Sequence, residues 1–128
     1  MKIRVVTGRI DKLRTGALAI TVFEEGKLGP LAAAVDRAMD GAVQRMVKRG
    51  DLAPKPGSSA VLYPEGRIAA ERLILTGLGK AKDLTPERLR QASARAVQAA
   101  RGAGATDAVL APDLPRADAA AGEAMAEG

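Results

Sequence analysis

Apolar and polar positions divide this chain into short apolar runs and longer stretches with helical spacing. Lys2 to Thr7 is rich in β-branched residues and closes at Gly8, and Ala17 to Phe23 is an apolar run short enough for a buried strand. A turn-rich loop follows, Glu24-Glu25-Gly26-Lys27-Leu28-Gly29-Pro30, in which Pro30 suits a first helical turn. Leu31, Val35, Ala38, Ala42 and Met46 then recur at spacings of four, three, four and four. That pattern predicts one helix with a single apolar face, ended by Gly50.

Asp51 to Gly57 reads as a proline-bearing connector, Ser59 to Tyr63 as a third strand, Pro64-Glu65-Gly66 as a turn and Arg72 to Thr76 as a fourth strand. Thr85 is a good N-cap, with Pro86 at the first helical position and Glu87 favourably placed in the first turn. Leu89, Ala92, Ala96, Ala99, Ala100 and Ala103 supply that helix's inner face, and Gly102 and Gly104 stop it. Asp107 to Ala111 is a fifth strand, followed by a proline-bounded loop. The tail from Ala117 to Glu127 carries little beyond alanine and Met125 and halts in mid-pattern, so it is expected to begin a longer helix. Strands alternating with helices predict a three-layer α/β/α domain with a mixed, mainly parallel sheet.

Composition narrows the chemistry. The 128 residues are enough for one domain and need no disulfide or metal staple. Cysteine and histidine are both absent, which removes thiol nucleophiles, histidine triads, Cys/His zinc sites and histidine general bases. The absence of cysteine fits the cytosol. The opening MKIRVVTGRIDKLR meets charge again at Arg4 and Arg9 and is not a signal peptide, and no run is long enough to span a membrane. A net charge of +5 permits nucleic-acid binding, but the cations are scattered among carboxylates. Phe23 and Tyr63 are the only aromatics, too few for a base-stacking platform. Nucleic acid is therefore not the expected partner.

The stretch Thr76-Gly77-Leu78-Gly79-Lys80 invites a phosphate-loop reading and fails it. Gly77 lies two positions before Gly79, Ala81 follows Lys80 where a magnesium-binding hydroxyl is needed, and position 82 is lysine where a dinucleotide fingerprint needs glycine. The glycines are expected to let the chain leave a strand. Glu24/Glu25 and Asp36/Asp40 are the candidate carboxylate pairs for a divalent cation. Asp36, Arg37 and Asp40 are better read as the solvated side of the first helix, with Arg37 as the pairing cation. Ser58, Ser59 and Ser93 have no base, and nothing marks Lys12, Lys27 or Lys80 as a nucleophile. The residues alone define no catalytic, cofactor or metal site.

The order of segments is more telling. MKIRVVTGRI, ALAITVFEEGKLGPLAAAVDRAMDGAV, SSAVLYPEGRIAAERLILTGLGK and LTPERLRQASARAVQAAR together resemble the N-terminal domain of the leucyl (cytosol) aminopeptidase family. That domain typically runs strand, strand, F-x-x-x-x-L loop, helix, G-L-G-K strand end and T-x-E-x-L-R helix. The resemblance covers nearly all of residues 1–113 and implies a macro-domain-like fold. It implies an inert chain, with residues 114–128 beginning a linker helix toward a catalytic domain that holds two divalent metals, zinc or manganese, on Asp, Glu and Lys. Such a pair hydrolyses N-terminal residues from peptides by polarising the carbonyl and supplying hydroxide. The family's N-T-D-A-E-G-R segment is absent from this sequence. The implied partners are that catalytic domain and further copies in a hexamer, in the cytoplasm.

The same fold raises a rival, a macro domain binding ADP-ribose or a related nucleotide. The adenine-recognising aspartate of that family's G-D-I aligns with Arg9 in Gly8-Arg9-Ile10. Its N-A-A-N aligns with Thr21-Val22-Phe23-Glu24, and its G-G-G-V phosphate loop is reduced to Gly29-Pro30 before Leu31. Arg9 and Lys27 could attract an anion but form no pocket. A basic DNA-contacting module is the remaining alternative, and it would show steep salt dependence.

Overall fold

The computed structural model describes residues 1–6, 10, 12–24, 28–50, 52 and 55–113. Strands β1 (Lys2–Val5), β2 (Leu18–Phe23), β3 (Ser59–Leu62), β4 (Leu73–Gly79) and β5 (Asp107–Ala111) form one sheet in the order β1-β5-β2-β4-β3. All neighbours are parallel except β3, which runs antiparallel to β4 with Val61 opposite Ile74. Helices α1 (Pro30–Ala38) and α2 (Ala42–Arg49) lie between β2 and β3 in the chain, and α3 (Pro86–Gly102) lies between β4 and β5.

A parallel sheet covered on both faces needs strands that are apolar on both faces. Accordingly β2 and β4 are buried at every position. Leu18, Ile20, Val22, Leu73 and Leu75 point into one core with Val35, Met39 and Val43 of the α1–α2 layer. Ala19, Phe23, Ile74 and Leu78 point the other way, into a core with Leu89, Ala92, Ala96 and Ala100 of α3. The three-layer mixed sheet expected from the sequence is therefore present. Edge strand β1 is less covered. Ile3 and Val5, in register with Ala108 and Leu110 and so on the α3 side, stay 43% and 36% exposed.

The single helix predicted after Pro30 is two helices. The chain breaks at Asp40 (φ 55°) and Gly41 (φ 79°), both left-handed. The apolar spacing runs through the break because both helices face the same side of the sheet. Asp36 is half-buried and its Oδ1 accepts from the Gln44 N–H at 3.1 Å, capping α2 from the preceding helix. Asp40 lies in the turn: its carboxylate is 4.0 Å from Arg67 rather than paired with Arg37, and its backbone oxygen accepts from Arg45 Nη1 at 2.6 Å. The solvated carboxylate face expected of one long helix is thus replaced by a helix–turn–helix corner. The fourth strand also runs further than predicted, to Gly79, whose φ of 76° ends it. The Thr85 cap is as expected, its Oγ1 accepting from Arg88 N–H at 3.1 Å.

The corner gives a stability prediction. Asp36→Ala removes the carboxylate acceptor of the Gln44 N–H in the first turn of α2 and should cost about 1 kcal/mol, as N-cap deletions do. Urea unfolding measures it. Asp36→Asn, which keeps an oxygen, should recover most of the loss, and equal losses in the two variants would contradict the capping role.

Candidate functional site

In open α/β sheets ligands sit outside the carboxyl ends of parallel strands, where successive helices depart to opposite faces. Here the chain leaves β2 toward α1 and β4 toward α3, so that position is the margin formed by Phe23-Glu24, Gly79-Lys80, Pro112-Asp113 and the start of α1. Its geometry is set by Asp113, which is only 5% exposed. The Asp113 N–H donates to Thr21 Oγ1 at 3.0 Å. Its carboxylate accepts from Leu31 N–H (2.8 Å, Oδ1) and from Ala32 N–H (2.9 Å, Oδ2). Gly29 packs directly beneath: a Cβ there would lie 2.4 Å from Asp113 Cγ.

The Gly77–Gly79 segment is strand, not a cradle. Gly77 N–H donates to Ser58 O at 3.1 Å and Gly79 O accepts from Glu24 N–H at 2.8 Å. A Cβ on Gly79 would come within 2.8 Å of Pro56. The Gly77 N–H and the Gly79 carbonyl are therefore spent on neighbouring chain segments, and Lys80 is exposed to solvent. Thr21, Val22 and Phe23, the positions aligned with the nucleotide-binding N-A-A-N, are buried strand residues, and Thr21 is held by Asp113. Arg9, Glu25 and Lys27 lie outside the described residues. Ser93 is buried and donates to Leu89 O at 2.8 Å, a helix-internal bond with no role in chemistry.

At the opposite end of the sheet, Asp107 accepts from Thr15 Oγ1 (2.9 Å) and from Gly16 N–H (2.9 Å). The Thr15 hydroxyl and then the Gly16 N–H hold its carboxyl below the ordinary 3.8; partial burial opposes this, and Arg4 and Lys2 add a smaller pull. Arg72 donates to Ala103 O (2.9 Å), at the carbonyl end of α3, and to Gly16 O (3.0 Å). Arg14, Thr15, Gly16, Glu71, Arg72 and Asp107 are among the residues lining an open depression of about 610 Å³. Its polar groups are largely occupied in joining β2, β4 and β5, which makes it a seam. Among the described residues no group of three or more Asp, Glu, His or Cys could hold a metal. Asp36, Asp107 and Asp113 each already accept backbone N–H groups, so these residues do not fit the metal pair implied for the catalytic domain.

Asp113, Asp107 and Arg72 carry the polar architecture, and no local pattern announces them. The partners that join them to other elements are 31 to 92 residues away in the chain.

The architecture is that of a macro-domain-like α/β fold. The macrodomains of the DarG proteins from Mycobacterium tuberculosis and Thermus aquaticus superpose with TM-scores of 0.70 and 0.72 at 17% identity, over 98% of this chain and 85% and 88% of theirs. A mutant of tomato leucine aminopeptidase superposes with a TM-score of 0.73 at 19% identity, over 98% of this chain and 27% of its own. Within that fold class the chain belongs to the cytosol aminopeptidase family: residues 19–128 match the model of the family's N-terminal domain. A probable cytosol aminopeptidase of Nitrosococcus oceani is 37% identical over 112 residues, 88% of this chain and 22% of the relative. A cytosol aminopeptidase of Pseudomonas aeruginosa PAO1 is 37% identical over 111 residues, 87% of this chain and 22% of the relative. The chain thus spans about a fifth of the length of these relatives. No helix among the described residues is long and apolar enough to cross a membrane.

The Asp107 knot predicts a pH dependence with a definite sign. A carboxyl whose folded pKa lies below its unfolded value stabilises the fold above the unfolded value and loses that contribution as pH falls through the folded one. The wild-type Tm should therefore fall as the pH drops below the ordinary carboxylate value of 3.8, and Asp107→Asn should flatten that decline while lowering Tm at neutral pH. An unchanged acid slope in the variant would remove Asp107 as its source.

Proposed function

We propose that this chain is the non-catalytic N-terminal domain, with an assembly or accessory role, of a dinuclear-metal leucyl aminopeptidase that removes N-terminal amino acids from peptides. One observation carries the reading: residues 19–128 match the N-terminal domain of that family, within relatives of which the chain spans only 22%. The zinc or manganese pair belongs to a catalytic domain of the same polypeptide, which acts in the cytoplasm as a hexamer. Residues 1–113 are assigned to this domain, and the linker helix expected to begin in residues 114–128 lies outside the described residues. The exposed Ile3 and Val5 on edge strand β1 support a contact role, since an unpaired edge strand with apolar side chains is a surface a neighbour can cover.

The 128-residue chain, purified alone and supplied with manganese or zinc, should release no leucine from a leucyl anilide. Metal-dependent turnover would overturn the reading. Calorimetric titration with ADP-ribose should give no binding heat, and micromolar affinity would favour the macro-domain rival instead. Duplex DNA should not bind even at low salt, where a basic DNA module would bind most tightly.

A further inference from the structure

The start of α1 is built as an anion position, and the chain fills it with its own carboxylate. A helix N-terminus presents orphan N–H groups at the positive end of its dipole. In α1, nine residues long, Pro30 at the first position has no N–H and Ala33 N–H already reaches Gly29 O at 2.8 Å. The donors left in the first turn are Leu31 and Ala32, and the two oxygens of Asp113 take one each, at 2.8 and 2.9 Å. Gly29, the N-cap, offers no side-chain acceptor, and the first turn contains no acidic residue. The cap therefore has to come from elsewhere. The space above Gly29 is closed by the same carboxylate, since even a methyl group there would collide with Asp113 Cβ at 2.5 Å and Oδ2 at 2.7 Å.

We propose that Asp113 is an internal ligand, its carboxylate occupying the anion position of α1 and so closing the strand-end margin to external anions such as phosphate. The same contact fastens the chain at residue 113, through Thr21 Oγ1 and α1 together, before it continues into residues 114–128. Releasing Asp113 uncovers both donors at once. This holds whatever reaction the parent protein performs.

Chemical rescue tests it on the 128-residue chain. Asp113→Ala leaves the two N–H groups without an acceptor and should lower Tm by roughly 3–6 °C, the size of a lost cap in a domain of this length. Formate or inorganic phosphate, titrated against chloride at equal ionic strength, should restore part of that loss in a saturable way. The corresponding amide chemical shifts of Leu31 and Ala32 should move with the same midpoint. The wild-type chain should respond to formate and phosphate no more than to chloride. Should the alanine variant not fold, Asp113→Asn, which keeps one acceptor oxygen, supplies the measurement: phosphate should shift the amide facing its NH2 group and not the other. Saturable phosphate binding by wild type at Leu31 and Ala32 would overturn the proposal, and so would folded variants that respond to phosphate no more than to chloride.

Discussion

Strand β2 imposes the constraint around which everything else is arranged. It lies mid-sheet between β5 and β4, and each of its six residues is buried, so it has to serve two cores at once. It does so with unequal faces. Leu18, Ile20 and Val22 fill the α1–α2 side, whereas the other side takes Ala19 and, at the strand's end, Phe23, with Ala17 just before the strand. A face of small side chains can be packed to protein density only if the covering helix comes close. The alanines of α3 meet that condition: Ala92, Ala96 and Ala100 share a core with Ala17, Ala19 and Ala108, and Leu89 adds its bulk to that of Phe23, Ile74, Leu78 and Leu110. The alanine richness of the chain is in this part of the fold a packing requirement.

Polar groups then close the ends of the sandwich. Strand β5 is bracketed by two carboxylates, Asp107 as its first residue and Asp113 two residues past its last, and each is spent on backbone N–H groups of the chain around β2. Asp107 takes Thr15 and Gly16, which precede β2; Asp113 takes Leu31 and Ala32, which follow it, and binds Thr21 within it. Two parallel neighbours separated by most of the sequence are pinned at both ends by charge-assisted bonds, which are stronger than neutral ones. On the other side of β2, the buried Thr76 hydroxyl of β4 donates to Ile20 O at 2.9 Å. Parallel pairing costs long-range loop closure, and these bonds fix its register in a sheet whose side chains alone are largely interchangeable aliphatics.

Much of this was legible in the chain. Strands β2 and β5 stood out as short apolar runs, and Thr85-Pro86-Glu87 marked the start of α3 through local capping chemistry. The family was legible in the order of segments, although no single motif among them is sharp. What could not be read depends on contacts between distant residues. The α1–α2 break was hidden because apolar periodicity reports the face a residue turns to the core, and two helices sharing one core keep the same phase. Asp40 and Gly41 announce a turn only once both are seen in the left-handed region. Asp113 was passed over as part of a proline-bounded loop, because a cap supplied from 81 residues away has no signature in a local window.

The glycines sharpen that lesson, because sequence alone assigns them to ligands too readily. A glycine where the backbone must approach something closely looks the same whether that something is a phosphate or another part of the protein. At Gly79 the neighbour is Pro56, at Gly16 it is Asp107, and at Gly29 it is Asp113. In each case the missing side chain makes room for the chain itself. Gly29 is the most informative of the three, because what it accommodates is a carboxylate on a helix start, the arrangement a bound anion would otherwise adopt. The fold keeps the backbone of an anion site while Asp113 supplies the anion, so likeness of fold to ligand-binding domains does not carry their ligand with it.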